Sequence, residues 1–112
     1  MDKRYMALGT SMLVLRLLKQ QCMYGYQIIR ELEQQSQMVF RLQEGTLYPV
    51  LHSLEQQGAV TSFQKTAENG RIRKYYQITP DGQKLLEEKN QEWKTYEKAV
   101  NQVMGGVLFG QL

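Results

Sequence analysis

Apolar residues recur at helical spacing along the first twenty positions. Leu8, Met12 and Leu15 fall at i, i+4 and i+7, and Met6, Leu13 and Leu17 line a second face. The pattern predicts a helix from about Tyr5 to Gln20. A helix apolar on two sides needs two surfaces to pack against. Its own core supplies one, and a partner subunit is a candidate for the other. The stretch YGYQIIRELEQQ opens at Gly25 and reads as a second helix with Ile28, Ile29 and Leu32 inward. A loop near Ser36 to Gln43 separates it from EGTLYPVLHSLEQQG, where Leu47, Val50, Leu51 and Leu54 form a clean helical stripe. Gly58 ends this third helix, as glycine does just past a helix. Pro49 is expected near its first turn, where a missing N–H matters least.

The pattern then changes period. AVTSFQKT and RIRKYYQIT are rich in β-branched and aromatic residues and flank Asn69-Gly70, a strong hairpin signal. A two-residue type I′ loop there would set Lys65 opposite Lys74 and Phe63 opposite Tyr76, and like charges directly opposite cost stability. Alternation turns one of Tyr75 and Tyr76 to the core. Thr79 is a candidate N-cap with Pro80 at the first helical position. A long helix follows to about Met104. Its Leu86, Trp93, Tyr96, Val100, Val103 and Val107 step in a heptad-like seam, and Glu88, Lys94, Glu97 and Lys98 make a solvated side. Three helices, a hairpin and a long helix make a mainly α chain with a small β-hairpin. We read a winged helix-turn-helix over residues 1–79, then a C-terminal dimerisation helix and short tail over residues 80–112.

At 112 residues the chain suits one domain with a modest core, so self-association is a natural supplement. The net charge of +3 is mild but unevenly spread. Residues 58–79 carry Lys65, Arg71, Arg73 and Lys74 against Glu68 alone, and the first thirty residues are also basic. Cys22 is the only cysteine, so no disulfide framework exists and a reducing cytoplasm is the simplest setting. Its expected role is a small buried hydrophobe. The opening segment is interrupted by Arg16 and Lys19 and is too short to span a bilayer, so no membrane is expected. One Cys and one His, His52, leave no zinc-ligand set. No nucleophile–base constellation or phosphate-cradling glycine loop is present, so no enzyme activity, metal or cofactor is expected.

On the third helix the buried stripe leaves Gly45, Pro49, His52 and Gln56 outward, flanked by Thr46, Tyr48 and Ser53. Such a face can approach a phosphate backbone and reach base edges. With Lys65, Arg71, Arg73 and Lys74 on the hairpin it predicts a double-stranded DNA interface. Lys3 and Arg4 are candidates for further phosphate contacts. Leu8, Met12, Leu86, Trp93, Tyr96, Val100 and Val103 are the candidate dimer interface. Met12, Trp93, Tyr96 and Val100 are candidates to line a pocket for a flat hydrophobic ligand between subunits. The competing reading is a winged-helix adaptor that binds proteins and does not read DNA.

EGTLYPVLHSLEQQGAV, NGRIRKYYQITPDGQKLL and Trp93 together resemble the PadR-like transcriptional regulators, and the similarity extends over about residues 5 to 104. The resemblance implies a winged-helix homodimer that represses transcription on a pseudo-palindromic operator and is often released by a small molecule. It implies DNA contacts at Thr46, Tyr48, Pro49, Arg71, Arg73 and Lys74. Phe63 stands where such chains often carry tryptophan. The single C-terminal helix is similar to that of the short members, for which the implied effector is a small aromatic compound.

Overall fold

The computed structural model describes residues 3–105, with side chains from residue 9 onward. Its elements are α1 (Lys3–Gln20), β1 (Met23–Tyr24), α2 (Gly25–Gln35), α3 (Glu44–Gln56), β2 (Val60–Thr66), β3 (Ile72–Ile78) and α4 (Pro80–Val103). The three strands form one antiparallel sheet in the order β1-β3-β2. This is a winged helix-turn-helix with a long C-terminal helix. The two-residue β1 is too short a run for periodicity to reveal.

Helix α1 is central, touching α2, α3, β3 and α4. It therefore buries a wide arc, not two separate stripes. Val14 and Leu18, outside both predicted stripes, are buried beside Leu15 and Leu17, while Met12 and Leu13 stay half-buried at the margin. The predicted positions Met6 and Leu8 fall among side chains outside those described. On α2 the inward set is Ile28, Ile29 and Leu32, as the spacing predicts. On α3, Leu47, Leu51 and Leu54 are buried and Val50 is half-buried. Pro49 lies in the second turn of α3, not the first, because that helix already starts at Glu44. Its missing N–H leaves the carbonyl of solvent-exposed Gly45 free for water.

The hairpin register differs from the expected one by a residue. Ala67 N–H donates to the Arg71 carbonyl at 2.7 Å, and Gly70 N–H donates to the Ala67 carbonyl at 2.9 Å. Gly70 has φ +83° while Asn69 stays at negative φ. The loop is thus a tight turn closed by a left-handed glycine, the three-residue alternative to a type I′ pair. Lys65 consequently faces Arg73, and Phe63 faces Tyr75.

Thr79 ties the wing, α3 and α4 together. Its hydroxyl accepts from Gly82 N–H at 2.9 Å, capping α4, and donates to the Gly58 carbonyl at 2.6 Å. Gly82 is pressed against the Ala59 carbonyl, so closely that a Cβ there would overlap it. Leu86, one turn further, is buried in the core. It is packed by its own protomer and is not available to a partner subunit, which removes it from the expected dimer seam. Every described residue from Asn90 onward is exposed. Val107, the last predicted seam position, lies outside the described residues. Cys22 is half-buried and not a core residue.

Candidate nucleic-acid interface

Helix α3 is held from both ends, which fixes what it presents. Near its C-terminus the Glu55 carboxylate accepts from the Ser62 hydroxyl of β2 at 2.7 Å. Near its N-terminus the Tyr48 ring lies on the backbone of Gly25, where a Cβ would come within 2.9 Å of Tyr48 Cζ. Burial, then the neighbouring Glu44 and Tyr76, push the Tyr48 phenol above its ordinary pKa. Tyr48 is thus partly a strut between α2 and α3, although its outer edge is exposed. Thr46, Pro49, His52 and Ser53 are exposed on the same helix. Ser53 Oγ accepts from Gln57 Nε2 at 3.0 Å, which orients the hydroxyl.

The wing divides its cations between two faces. Residues directly opposite in an antiparallel pair share a face, and successive residues alternate. Ser62, which bonds to α3, is opposite Tyr76, so the face of Tyr76, Lys74 and Ile72 is the one turned to the helices. Lys74 Nζ sits 5.5 Å from the centroid of the Tyr76 ring. The other face gathers Tyr24, Phe63, Lys65, Arg73 and Tyr75. There Phe63 stacks on Tyr75 with centroids 5.8 Å apart, and Tyr24 meets Tyr75 edge-on at 5.4 Å. Arg73 lies 4.2 Å over the Tyr24 ring, and Lys65 lies 5.6 Å from the Tyr75 centroid. Arg71 is exposed at the tip, its N–H donating to Asn69 Oδ1 at 3.0 Å.

So the four wing cations named from the sequence do not form one cluster. Lys74 shares the helix side, Arg71 the tip, and Lys65 and Arg73 the opposite face. The like-charge pairing of Lys65 with Arg73 is eased because each cation rests over a tyrosine ring. Sequence reasoning missed Tyr24, Gly25, Tyr26 and Arg30. Tyr26 and Arg30 are an exposed i, i+4 pair on α2 with the guanidinium 5.9 Å from the ring centroid. That spacing was readable in the sequence. The proximity of Gly25 to Tyr48 was not. On α4, the exposed Trp93 and Tyr96 form a tilted ring pair at 6.0 Å, with exposed Val100 and Val103 beyond.

The model of the transcriptional regulator PadR-like family matches residues 14–88. This chain belongs to that family. It is similar to transcriptional regulator Rv3488 of Mycobacterium tuberculosis, 39% identical over 67 residues covering 60% of this chain and 59% of the relative. A transcriptional regulator from Clostridium thermocellum has a similar solved structure, with TM-score 0.81 and 28% identity over 91% of this chain and 96% of that one. A PadR-like transcriptional regulator from Bacillus cereus gives TM-score 0.73 and 29% identity, covering 86% and 91%. The PadR-like chain is therefore a DNA-binding transcriptional regulator and not an enzyme. Among the described residues no helix is long and apolar enough to cross a membrane. Among them, too, no group of three or more His, Cys, Asp or Glu is placed to hold a metal.

Proposed function

We propose that this PadR-like chain is a cytoplasmic repressor that reads a pseudo-palindromic operator as a twofold homodimer and leaves it when a small hydrophobic or aromatic ligand binds. The observation that carries the DNA reading is the exposed α3 surface, Thr46 to Ser53, flanked by Lys74 on the same side of the wing and Arg71 at its tip. Helix α3 enters the major groove with Thr46, Pro49, His52 and the edge of Tyr48 near the bases, and Arg71 and Lys74 take phosphates. Dimerisation is supported by the apolar strip of Trp93, Tyr96, Val100 and Val103, which is exposed on the protomer. Two recognition helices on a straight duplex then lie roughly 34–36 Å apart. A flat ligand stacked between paired Trp93 and Tyr96 rings, with Met12 and Val100 as walls, would favour a dimer of different spacing.

The test is fluorescence anisotropy with the DNA upstream of its own gene and a scrambled duplex, over a salt series. Specific binding roughly a thousandfold or more tighter than to the scrambled duplex is expected. Replacing Arg71 and Lys74 with alanine should lower the salt slope by roughly one for each phosphate no longer neutralised. An unchanged slope removes the wing from the interface. Equal, weak binding of both duplexes removes sequence-specific repression and leaves the adaptor role.

A further inference from the structure

Toward its tip the wing is a two-stranded ribbon. β1 ends at Tyr24, which pairs with Tyr75, while β2 and β3 run on together to Thr66 and Ile72. The ribbon extends about 10 Å past Tyr75, where β1 no longer runs beside it. A two-stranded ribbon is marginal on its own and twists readily. Yet Arg71 and Lys74, the exposed cations that take phosphates in the proposed complex, both lie on the tip side of Tyr75.

Arg73 reaches back across this gap. It sits on β3 past the end of β1, and its guanidinium is seated 4.2 Å over the Tyr24 ring. It is half-buried where Arg71 and Lys74 are exposed. Its Nε is enclosed without a hydrogen-bond partner among the described residues. It shares the face of Phe63 and Tyr75, away from α3. An arginine that reads a phosphate presents its N–H fork to it, whereas this one lays the fork against a ring. The unmatched Nε offsets part of the ring contact, so the seat adds little net stability and acts mainly as a constraint on direction. The other end of the link is Tyr24, the residue before Gly25, on whose backbone the Tyr48 ring of α3 rests. The Arg73 seat thus joins the outer wing to the joint that fixes α3.

We propose that Arg73 is a positioning residue for DNA binding and not a phosphate contact: seated on Tyr24, it holds the wing in a fixed direction relative to α3, so that Arg71 and Lys74 meet the phosphates already placed. The inference rests on the DNA reading above. A loosened wing still reaches the same phosphates but must be ordered on binding. Affinity then falls while the number of phosphates neutralised does not.

The experiment repeats the anisotropy salt series with Arg73 and Tyr24 variants and adds amide hydrogen exchange of the free protein. Arg73→Gln should weaken operator binding about tenfold, the worth of a desolvated cation–π contact, with the salt slope and the urea midpoint unchanged. Arg73→Lys keeps the charge but not the flat stack, so it too should bind more weakly than the parent. Tyr24→Phe, which keeps the ring, should behave like the parent. Tyr24→Leu should match Arg73→Gln, and the two together should weaken binding no further than either alone. In the free protein Arg73→Gln should speed exchange at residues 63–66 and 72–75 and leave the core of α1 unchanged. The proposal is overturned if Arg73→Lys binds like the parent while Arg73→Gln lowers the slope by roughly one, as loss of a phosphate contact does. Additive effects of Tyr24→Leu and Arg73→Gln also overturn it, as does a lowered urea midpoint with unchanged affinity, or unaltered wing exchange. If the parent chain itself shows no preference for the operator, the DNA reading fails, and exchange alone still decides whether Arg73 holds the wing.

Discussion

The two halves of α4 use the same repeating apolar pattern for different ends. In the first half, Gly82 abuts the Ala59 carbonyl and Leu86 is buried, so the helix is part of the winged-helix core. In the second half, Trp93, Tyr96, Val100 and Val103 keep the same spacing and stay exposed, between 37% for Val100 and 86% for Val103. Periodicity marks a face as apolar but does not name what covers it. The first half is covered by the chain itself. The second half is exposed on the protomer, and in the proposed dimer a second copy covers it.

The largest effects should separate the halves. Val100→Glu is expected to abolish the dimer in sedimentation while the protomer's far-ultraviolet dichroism is retained; a dimer that survives would mean the strip is not the seam. Leu86→Ala should act the other way, costing about 3 kcal/mol in urea unfolding, as a buried leucine does. Gly82→Ala should cost a similar amount, because the Ala59 backbone cannot step aside as a flexible side chain would. If Gly82→Ala melts like the parent chain, α4 is not seated as described.

Thr79→Ala tests the joint between the body and α4. It removes both the cap to Gly82 and the link to Gly58 and should cost about 1 kcal/mol. The smallest effect is a pH dependence. The Tyr48 pKa is raised in the folded state, so the neutral phenol is the form that folding favours. That stability is fully present below the unfolded value near 10 and is lost as pH rises through the folded value. Tyr48→Phe should flatten the alkaline limb of a stability–pH profile, and an unchanged limb would show that the phenol is not desolvated.

Much of the fold was legible because its signals are local. The stripe of Leu47, Leu51 and Leu54, the Thr79-Pro80 start and the heptad-like steps of α4 each depend on residues within a few turns of one another. The wing register was not legible, since Asn69-Gly70 is compatible with both a two-residue and a three-residue loop and only the backbone hydrogen bonds of Ala67 choose. That single-residue shift decides which face every wing side chain occupies.

The sequence by itself determined the winged-helix order, the family, the apolar face of α3 and the presence of four cations on the hairpin. The tertiary structure alone decided that Leu86 belongs to the core, that Tyr48 braces Gly25, and that Lys65 and Arg73 lie over tyrosines on the face away from Lys74. The physical reason is range. Helix faces and caps follow from spacing along the chain. Burial, strand register and the seating of the Arg73 guanidinium on the distant Tyr24 ring depend on how separate elements meet in space.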